Sequence, residues 1–256
     1  MNDVRSGPAT GADISPRLRV LSSPEAVADE AAERLTNALK APAPVLGLAT
    51  GRTPLQAYGL LVGKVRAGEA SFRDATTFNL DEYRGLAAEH PASFHSYMWR
   101  ELFGKVDMAP ERAHIPPGLA DDFSAAAVRF ERRVVEAGGI ALQLLGIGGN
   151  GHIGFNEPGS PHDSRTRIVP LTESTRIANA PDFPAGEEMP REAITMGIGT
   201  ILEAREIVLI AVGSRKAAAI KAALTGPVGP DCPASALRRH PNVTLLCDRE
   251  AASLLP

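Results

Sequence analysis

The sequence predicts an α/β fold, a doubly wound, mostly parallel and Rossmann-like sheet with helices on both faces. Three observations lead there. Short apolar runs alternate with helical stretches from Arg17 onward, the order in which strand–helix–strand units build a parallel sheet. The chain has 256 residues, 44% of them apolar, enough for one large domain with its own core. Several strand candidates also end in polar clusters, and open parallel sheets bind ligands beyond the carboxyl ends of their strands.

The elements follow in order. Residues 1–16 mix Gly, Pro, Ser, Thr and Asp without periodicity and read as a flexible tail. Residues 17–21 form a strand candidate. Ser22, Ser23, Pro24 and Glu25 then supply a cap, a first-turn proline and an acid for a helix reaching about Lys40, with Val27, Ala31 and Leu35 on one face. A buried strand is expected at 45–49, a turn at 50–54 and a helix through Val65. A third strand covers 75–80 and ends at Asp81, Glu82 and Tyr83. Helical patterns follow at 93–103 and 122–137, and a fourth strand at 140–145. Strands at 207–212 and 243–247, with a helix at 215–224 between them, complete the set. No repeat or composition break divides the chain, so 17–256 reads as a single domain.

Composition narrows the function. A net charge of −3 argues against a nucleic-acid surface. The two cysteines, Cys232 and Cys247, give neither metal-ligand spacing nor a disulfide framework, which suits a reducing cytoplasm. Apolar runs such as 207–212 are too short to span a bilayer, and no apolar stretch follows Asp3 and Arg5 to form a signal peptide. No membrane or nucleic-acid partner is expected.

The chemistry concentrates in four clusters. Residues 145–158 read L-G-I-G-G-N-G-H-I-G-F-N-E-P, placing five glycines, His152 and Glu157 directly after a strand. Glycines let backbone turn sharply and approach a ligand closely. A histidine and a glutamate five positions apart offer a proton carrier and a carboxylate to orient it. Asp81 ends the third strand, where an acid serves as a general base or as a turn residue. Thr50, Gly51, Arg52, Thr53 and Pro54 form a strand-to-helix turn whose N–H groups suit a phosphate, or an ordinary connection. Lys216, in Gly213-Ser214-Arg215-Lys216, opens a helix, where a cation opposes the dipole unless an anion is bound; the plain alternative is a solvated lysine. Neither a nucleotide P-loop nor a dinucleotide fingerprint is complete. Zinc-site and serine-elbow motifs are missing as well, which argues against a zinc site and a serine hydrolase.

Together these clusters resemble the glucosamine-6-phosphate deaminase family. The likeness rests on L-G-L-A-T-G-R-T-P (46–54), T-F-N-L-D-E-Y (77–83), H-P-A-S-F-H-S-Y (90–97) and G-I-G-G-N-G-H-I-G-F-N-E-P (146–158). It continues through S-R-T-R (164–167), T-R-I-A-N (175–179), A-I-T-M-G-I-G-T (193–200) and G-S-R-K-A (213–217), all in the family's order. The family converts glucosamine 6-phosphate and water to fructose 6-phosphate and ammonia without a cofactor. By that resemblance His152 assists ring opening with Glu157 orienting it, and Asp81 moves the C2 proton. Thr50, Gly51, Arg52, Thr53 and Lys216 would hold the sugar phosphate. Related 6-phosphogluconolactonases share the fold, but D-E-Y and F-N-E-P favour the deaminase branch. The same chemistry on another sugar phosphate, such as galactosamine 6-phosphate, and a sugar-phosphate-binding regulator without turnover are the alternatives.

Three departures from the family pattern stand out. Asn150 occupies a position that is Asp in some members, which removes one carboxylate from the proton relay. Arg52 replaces the usual Gly or Ser of the phosphate turn. Pro181 stands where the family's lid, here 172–190, carries a phosphate-binding arginine. Arg and phosphate pair in a fork that Lys does not copy, so Arg52 is expected to supply the guanidinium lost at Pro181. Arg167 matches one basic residue of the allosteric site found in some members, but Val169 replaces a lysine. No activation by N-acetylglucosamine 6-phosphate is therefore expected. Members range from monomer to hexamer, so a homo-oligomer is compatible with the sequence.

Overall fold

The computed structural model describes residues 16–256, so the predicted tail lies, except for Pro16, outside the described residues. The chain begins with β1 (Arg17–Leu21) and α1 (Pro24–Leu39). Ser23 caps α1, its side chain accepting from the Ala26 N–H at 3.3 Å, and Val27, Ala31 and Leu35 are buried. β2 (Val45–Leu48) leads into α2 (Arg52–Arg66), and β3 (Thr76–Asn79) is followed at once by β4 (Asp81–Tyr83). Next come α3 (Phe94–Glu101), β5 (Ala113–His114), α4 (Phe123–Glu136), β6 (Leu142–Leu145), β7 (Arg167–Pro170) and α5 (Glu173–Asn179). The last elements are β8 (Glu192–Thr195), α6 (Ile198–Leu202), β9 (Glu206–Ala211), α7 (Ala217–Thr225) and β10 (Val243–Asp248).

Seven strands form one sheet in the order β1-β10-β9-β6-β2-β3-β5, and every neighbouring pair is parallel. Strand alternation sends side chains to two cores. Val45, Phe78, Leu145, Leu209 and Leu245 meet Phe130 and Val134 of α4, Ile198 of α6 and Ile220 of α7 on one face. Leu46, Leu48, Leu144, Ile210 and Leu246 meet Leu35 of α1, Tyr58 and Leu61 of α2 and Met98 of α3 on the other. Full burial of such a side chain stabilises by roughly 1.5–3 kcal/mol, so these two faces hold the helices in place.

The predicted strands and helices agree with those observed to within about two residues at most ends, the ordinary fraying of boundaries. Two features differ from the expectation. Asp81, Glu82 and Tyr83 do not end the third strand; they form β4 of a second, antiparallel sheet in the order β4-β8-β7. β5, β7 and β8, together with the short helices α5 and α6, were also absent from the expected set. They are only two to seven residues long, too short for periodicity to mark. Beneath the small sheet an aromatic cluster joins Tyr83, Phe94, Phe155 and Phe183, with ring centroids of Tyr83 and Phe183 5.2 Å apart.

Among the described residues no helix is long and apolar enough to cross a membrane, and both cysteines are free.

Candidate active site

The strand order reverses between β2 and β6. From β2 the chain adds β3 and β5 on one side, and from β6 it adds β9 and β10 on the other. Open α/β sheets bind ligands in the crevice at such a reversal, outside the carboxyl ends of the two strands. Four adjacent strands, β9, β6, β2 and β3, therefore deliver the four sequence clusters to one edge. Gly213 to Lys216 follow β9 and the glycine turn follows β6. Thr50 to Pro54 follow β2, and Asp81 follows β3.

In the glycine turn the imidazole of His152 lies directly over Gly148. A Cβ at that position would stand 2.3 Å from Cε1 and 2.4 Å from each ring nitrogen, so only glycine leaves room for the ring. His152 Nδ1 is 3.4 Å from Glu157 Oε2, an ion-pair distance too loose for a well-formed hydrogen bond. Asn150 joins the two residues: its Nδ2 donates to Glu157 Oε2 at 2.7 Å, and its Oδ1 accepts from the His152 N–H at 3.2 Å. The amide thus fixes the Glu157 carboxylate and the backbone at His152 without adding a charge. Burial raises the Glu157 carboxyl, but His152, Thr175 and Asn150 more than offset this and bring it down to about 2.

Asp81 is 5% exposed and reaches the turn through β8. It pairs in register with Thr195, whose Oγ1 accepts from the Phe155 N–H at 3.0 Å. Gly154 sits at the junction, at φ 56°, and a Cβ there would lie 3.4 Å from Asp81 Oδ2. Burial, and secondarily the Glu82 charge, push the Asp81 carboxyl up to about 8. Such a group exchanges a proton near neutrality instead of remaining a permanent anion. Glu82 itself is turned away from the crevice onto the start of α3. It accepts from the N–H groups of Tyr83, Phe94 and His95 at 2.8, 3.0 and 2.9 Å.

The third group gathers the start of α2 and the Lys216 corner. Gly51 caps α2, and Tyr97 of α3 steadies it by donating to the Gly51 carbonyl at 2.7 Å. Thr50 and Thr53 are half-buried beside it. Lys216, half-buried in a turn of 3-10 helix before α7, donates to the Ile147 carbonyl at 2.7 Å and so leans onto the glycine turn. Burial, with Arg215 close by, lowers its pKa. Asp248 fixes this corner, its two oxygens accepting from the Gly213 N–H at 3.1 and 3.0 Å. Arg52 points elsewhere than the expectation of a free phosphate ligand: Nη2 pairs with Asp182 Oδ1 at 2.9 Å, and the side chain is 66% exposed.

Segment 172–190 closes over this edge. Thr172 and Thr175, at the start of α5, donate to Glu157 Oε1 at 3.2 and 2.5 Å. Asn179 lies beside Tyr83, Phe183 enters the aromatic cluster, and Glu187 meets His90 at 2.7 Å. The two threonines, Thr195 and Asp182 carry no assignment from sequence reasoning. The available signals were the T-E-S-T start of a capped helix and the A-I-T-M run of β8. Arg167 is engaged within the chain, donating to Asn156 Oδ1 at 2.9 Å and Ser160 Oγ at 3.2 Å. Among the described residues no group of three or more His, Cys, Asp or Glu is arranged to hold a metal ion.

Comparison with known proteins adds an independent finding. A family model described as glucosamine-6-phosphate isomerases/6-phosphogluconolactonase matches residues 22–246. A glucosamine-6-phosphate deaminase of Rhodopirellula baltica is 60% identical over 214 residues, 84% of this chain and 85% of the relative. One from Hahella chejuensis is 50% identical over 240 residues, 93% and 92% of the two chains. A solved structure of a monomeric glucosamine-6-phosphate deaminase superposes with a TM-score of 0.91 at 46% identity, covering 93% of this chain and 99% of that one. A 6-phosphogluconolactonase from Trypanosoma cruzi reaches 0.75 at 19% identity over 96% and 99% of the chains, a likeness of fold alone.

Proposed function

The chain belongs to the glucosamine-6-phosphate isomerase/6-phosphogluconolactonase family, and from that premise we propose that it is a glucosamine-6-phosphate deaminase. It converts glucosamine 6-phosphate and water to fructose 6-phosphate and ammonia. The observation that carries this reading is the meeting, at one sheet edge, of a buried acid that titrates near neutrality with an imidazole 3.4 Å from a carboxylate. Isomerisation needs two such groups over neighbouring atoms, and positioning supplies much of the remaining rate.

In the proposed sequence, His152 transfers the proton that opens the pyranose ring, while Glu157 stabilises the imidazolium and Asn150 holds Glu157 and the His152 backbone in place. Asp81 then takes the proton from C2 of the open chain, giving an enolamine. Protonation at C1 yields the imine of the ketose, and water adds to C2 to release ammonia. A carboxyl near 8 holds the abstracted proton long enough to return it. The N–H groups of the Thr50–Gly51 turn, the Thr53 hydroxyl and the Lys216 ammonium bind the phosphate. Asp182 engages one nitrogen of Arg52, and the remaining guanidinium N–H groups are free to reach the phosphate beside Pro181.

We place the reaction in the cytoplasm, with a soluble sugar phosphate as the partner and no resident cofactor. Size-exclusion chromatography distinguishes a homo-oligomer from the monomer reported for the structural neighbour. The deciding assay supplies glucosamine 6-phosphate to the purified protein and follows ammonia and fructose 6-phosphate together. Equal amounts of both support the proposal; no ammonia sinks it. Galactosamine 6-phosphate and a phosphogluconolactone in parallel assays identify the two alternative substrates.

A further inference from the structure

Glu157 is bound from two directions. Its Oε2 faces the glycine turn, with Asn150 Nδ2 at 2.7 Å and His152 Nδ1 at 3.4 Å. Its Oε1 faces α5, with the hydroxyls of Thr175 at 2.5 Å and Thr172 at 3.2 Å. Thr172 has one hydrogen to give, and Thr175 Oγ1 is an equally close recipient at 3.1 Å. Thr172 also caps α5 by accepting from the Thr175 N–H at 3.3 Å. Thr175 is therefore the dedicated partner of Oε1, and it is 3% exposed.

The same short helix begins the segment that closes the site. Asn179, at its end, lies beside Tyr83, and Asp182 and Phe183 just beyond it reach Arg52 and the aromatic cluster. Moving α5 away removes the hydroxyls from Oε1 and leaves a buried carboxylate with half of its hydrogen bonds, a costly state for an anion. We infer that Thr175 is a positioning residue that couples closure of segment 172–190 to the Glu157–His152 pair. The proton carrier is then fully assembled only when the segment is docked. This inference rests on the deaminase reading for its consequence in turnover, but not for the coupling itself.

The coupling has a direct readout. Asn150 and His152 face Glu157 from the glycine turn, and Thr172 and Thr175 face it from α5; His152 is the titratable group among them. In carboxyl 13C NMR, Thr175→Val should move the Glu157 titration upward from about 2 by about one pH unit, whereas Thr175→Ser, which keeps the hydroxyl, should leave it in place. In turnover, Thr175→Val should lower kcat about tenfold with KM within about twofold, and Thr175→Ser should restore it. In a Glu157→Gln background Thr175→Val should cost less than about twofold more, because both act on one group. An unmoved Glu157 titration in Thr175→Val, or a full tenfold further loss in the Glu157→Gln background, overturns the inference. If Glu157 responds to Thr175→Val but wild type makes no ammonia, the coupling stands and the substrate assignment fails. If wild type is active and Glu157 does not respond, the substrate assignment stands and the coupling fails.

Discussion

Replacing Gly148 by alanine separates the placement of His152 from its chemistry. The backbone there does not adopt a positive φ, so alanine brings no conformational strain. Its new methyl would stand 2.3 Å from the imidazole Cε1, whereas ordinary contact begins at 3.4 Å. The ring must therefore retreat by about 1 Å, and a misplacement of that size costs about a hundredfold in rate, or about 2.7 kcal/mol. Because the ring is the free end of a side chain, it swings away cheaply and the fold survives. Gly148→Ala should lower kcat about a hundredfold, leave KM within about threefold and shift Tm by no more than about 3 °C. Gly59→Ala, on the exposed face of α2 with open space around it, serves as the control. It should keep full turnover and gain up to about 1 kcal/mol of stability. The assay is ammonia release from saturating glucosamine 6-phosphate, with calorimetry on the same preparations. A Gly148→Ala enzyme within threefold of wild-type kcat would refute the placement of His152 over that glycine.

The other predictions concern protons and phosphate. The kcat/KM of the free enzyme should rise with pH through about 8 as Asp81 loses its proton, and Asp81→Asn should abolish turnover; undiminished ammonia release would remove Asp81 from the mechanism. The same carboxyl binds its proton more tightly folded than unfolded, so its contribution to stability falls as pH rises from 3.8 through about 8. Asp81→Asn should accordingly raise Tm at pH 8 by about 3 °C or more, and an unchanged or lower Tm would contradict its burial cost. Glu157 behaves oppositely: its contribution, on the order of 3 kcal/mol, is present above 4.5 and lost as pH falls through about 2. Stability of Glu157→Gln measured by denaturant titration should therefore depend less on pH below 4.5 than that of wild type, and matching curves would count against the hydrogen-bonded carboxylate. Arg52→Gly should raise KM for the sugar phosphate about three- to tenfold, a modest effect because the guanidinium is exposed and shared with Asp182. An unchanged KM would leave Arg52 as a partner of Asp182 only.

Much of this site was legible in the chain itself. Short-range rules identify Ser23 as a cap, the apolar runs as buried strands and the glycine turn as a place for close approach, because each involves residues within a few positions of one another. His152, Asn150 and Glu157 lie within eight consecutive residues, and their hydrogen bonds follow from that local path. Asp81 could be named as an acid after a strand. Its environment could not be read in the same way. The expected third strand breaks at Leu80, and Asp81 belongs to a three-residue strand whose partner, β8, lies far along the chain. Three or four residues carry too little periodicity to announce a strand, and nothing local specifies a pairing over such a separation.

Element order, the parallel sheet, its two apolar faces and the residue types at its active edge all follow from local patterning and from where glycine can sit. What surrounds those residues depends on the folded chain. Folding sets the burial that raises Asp81, the threonines 15 and 18 positions beyond Glu157 that grip its second oxygen, and the Lys216 contact across 69 positions. It also turns Arg52 toward Asp182, 130 positions away. Such pairings have no local signature, because they form only after the sheet has brought distant strand ends together. A proton's affinity for a carboxyl depends on the dielectric and partners found there.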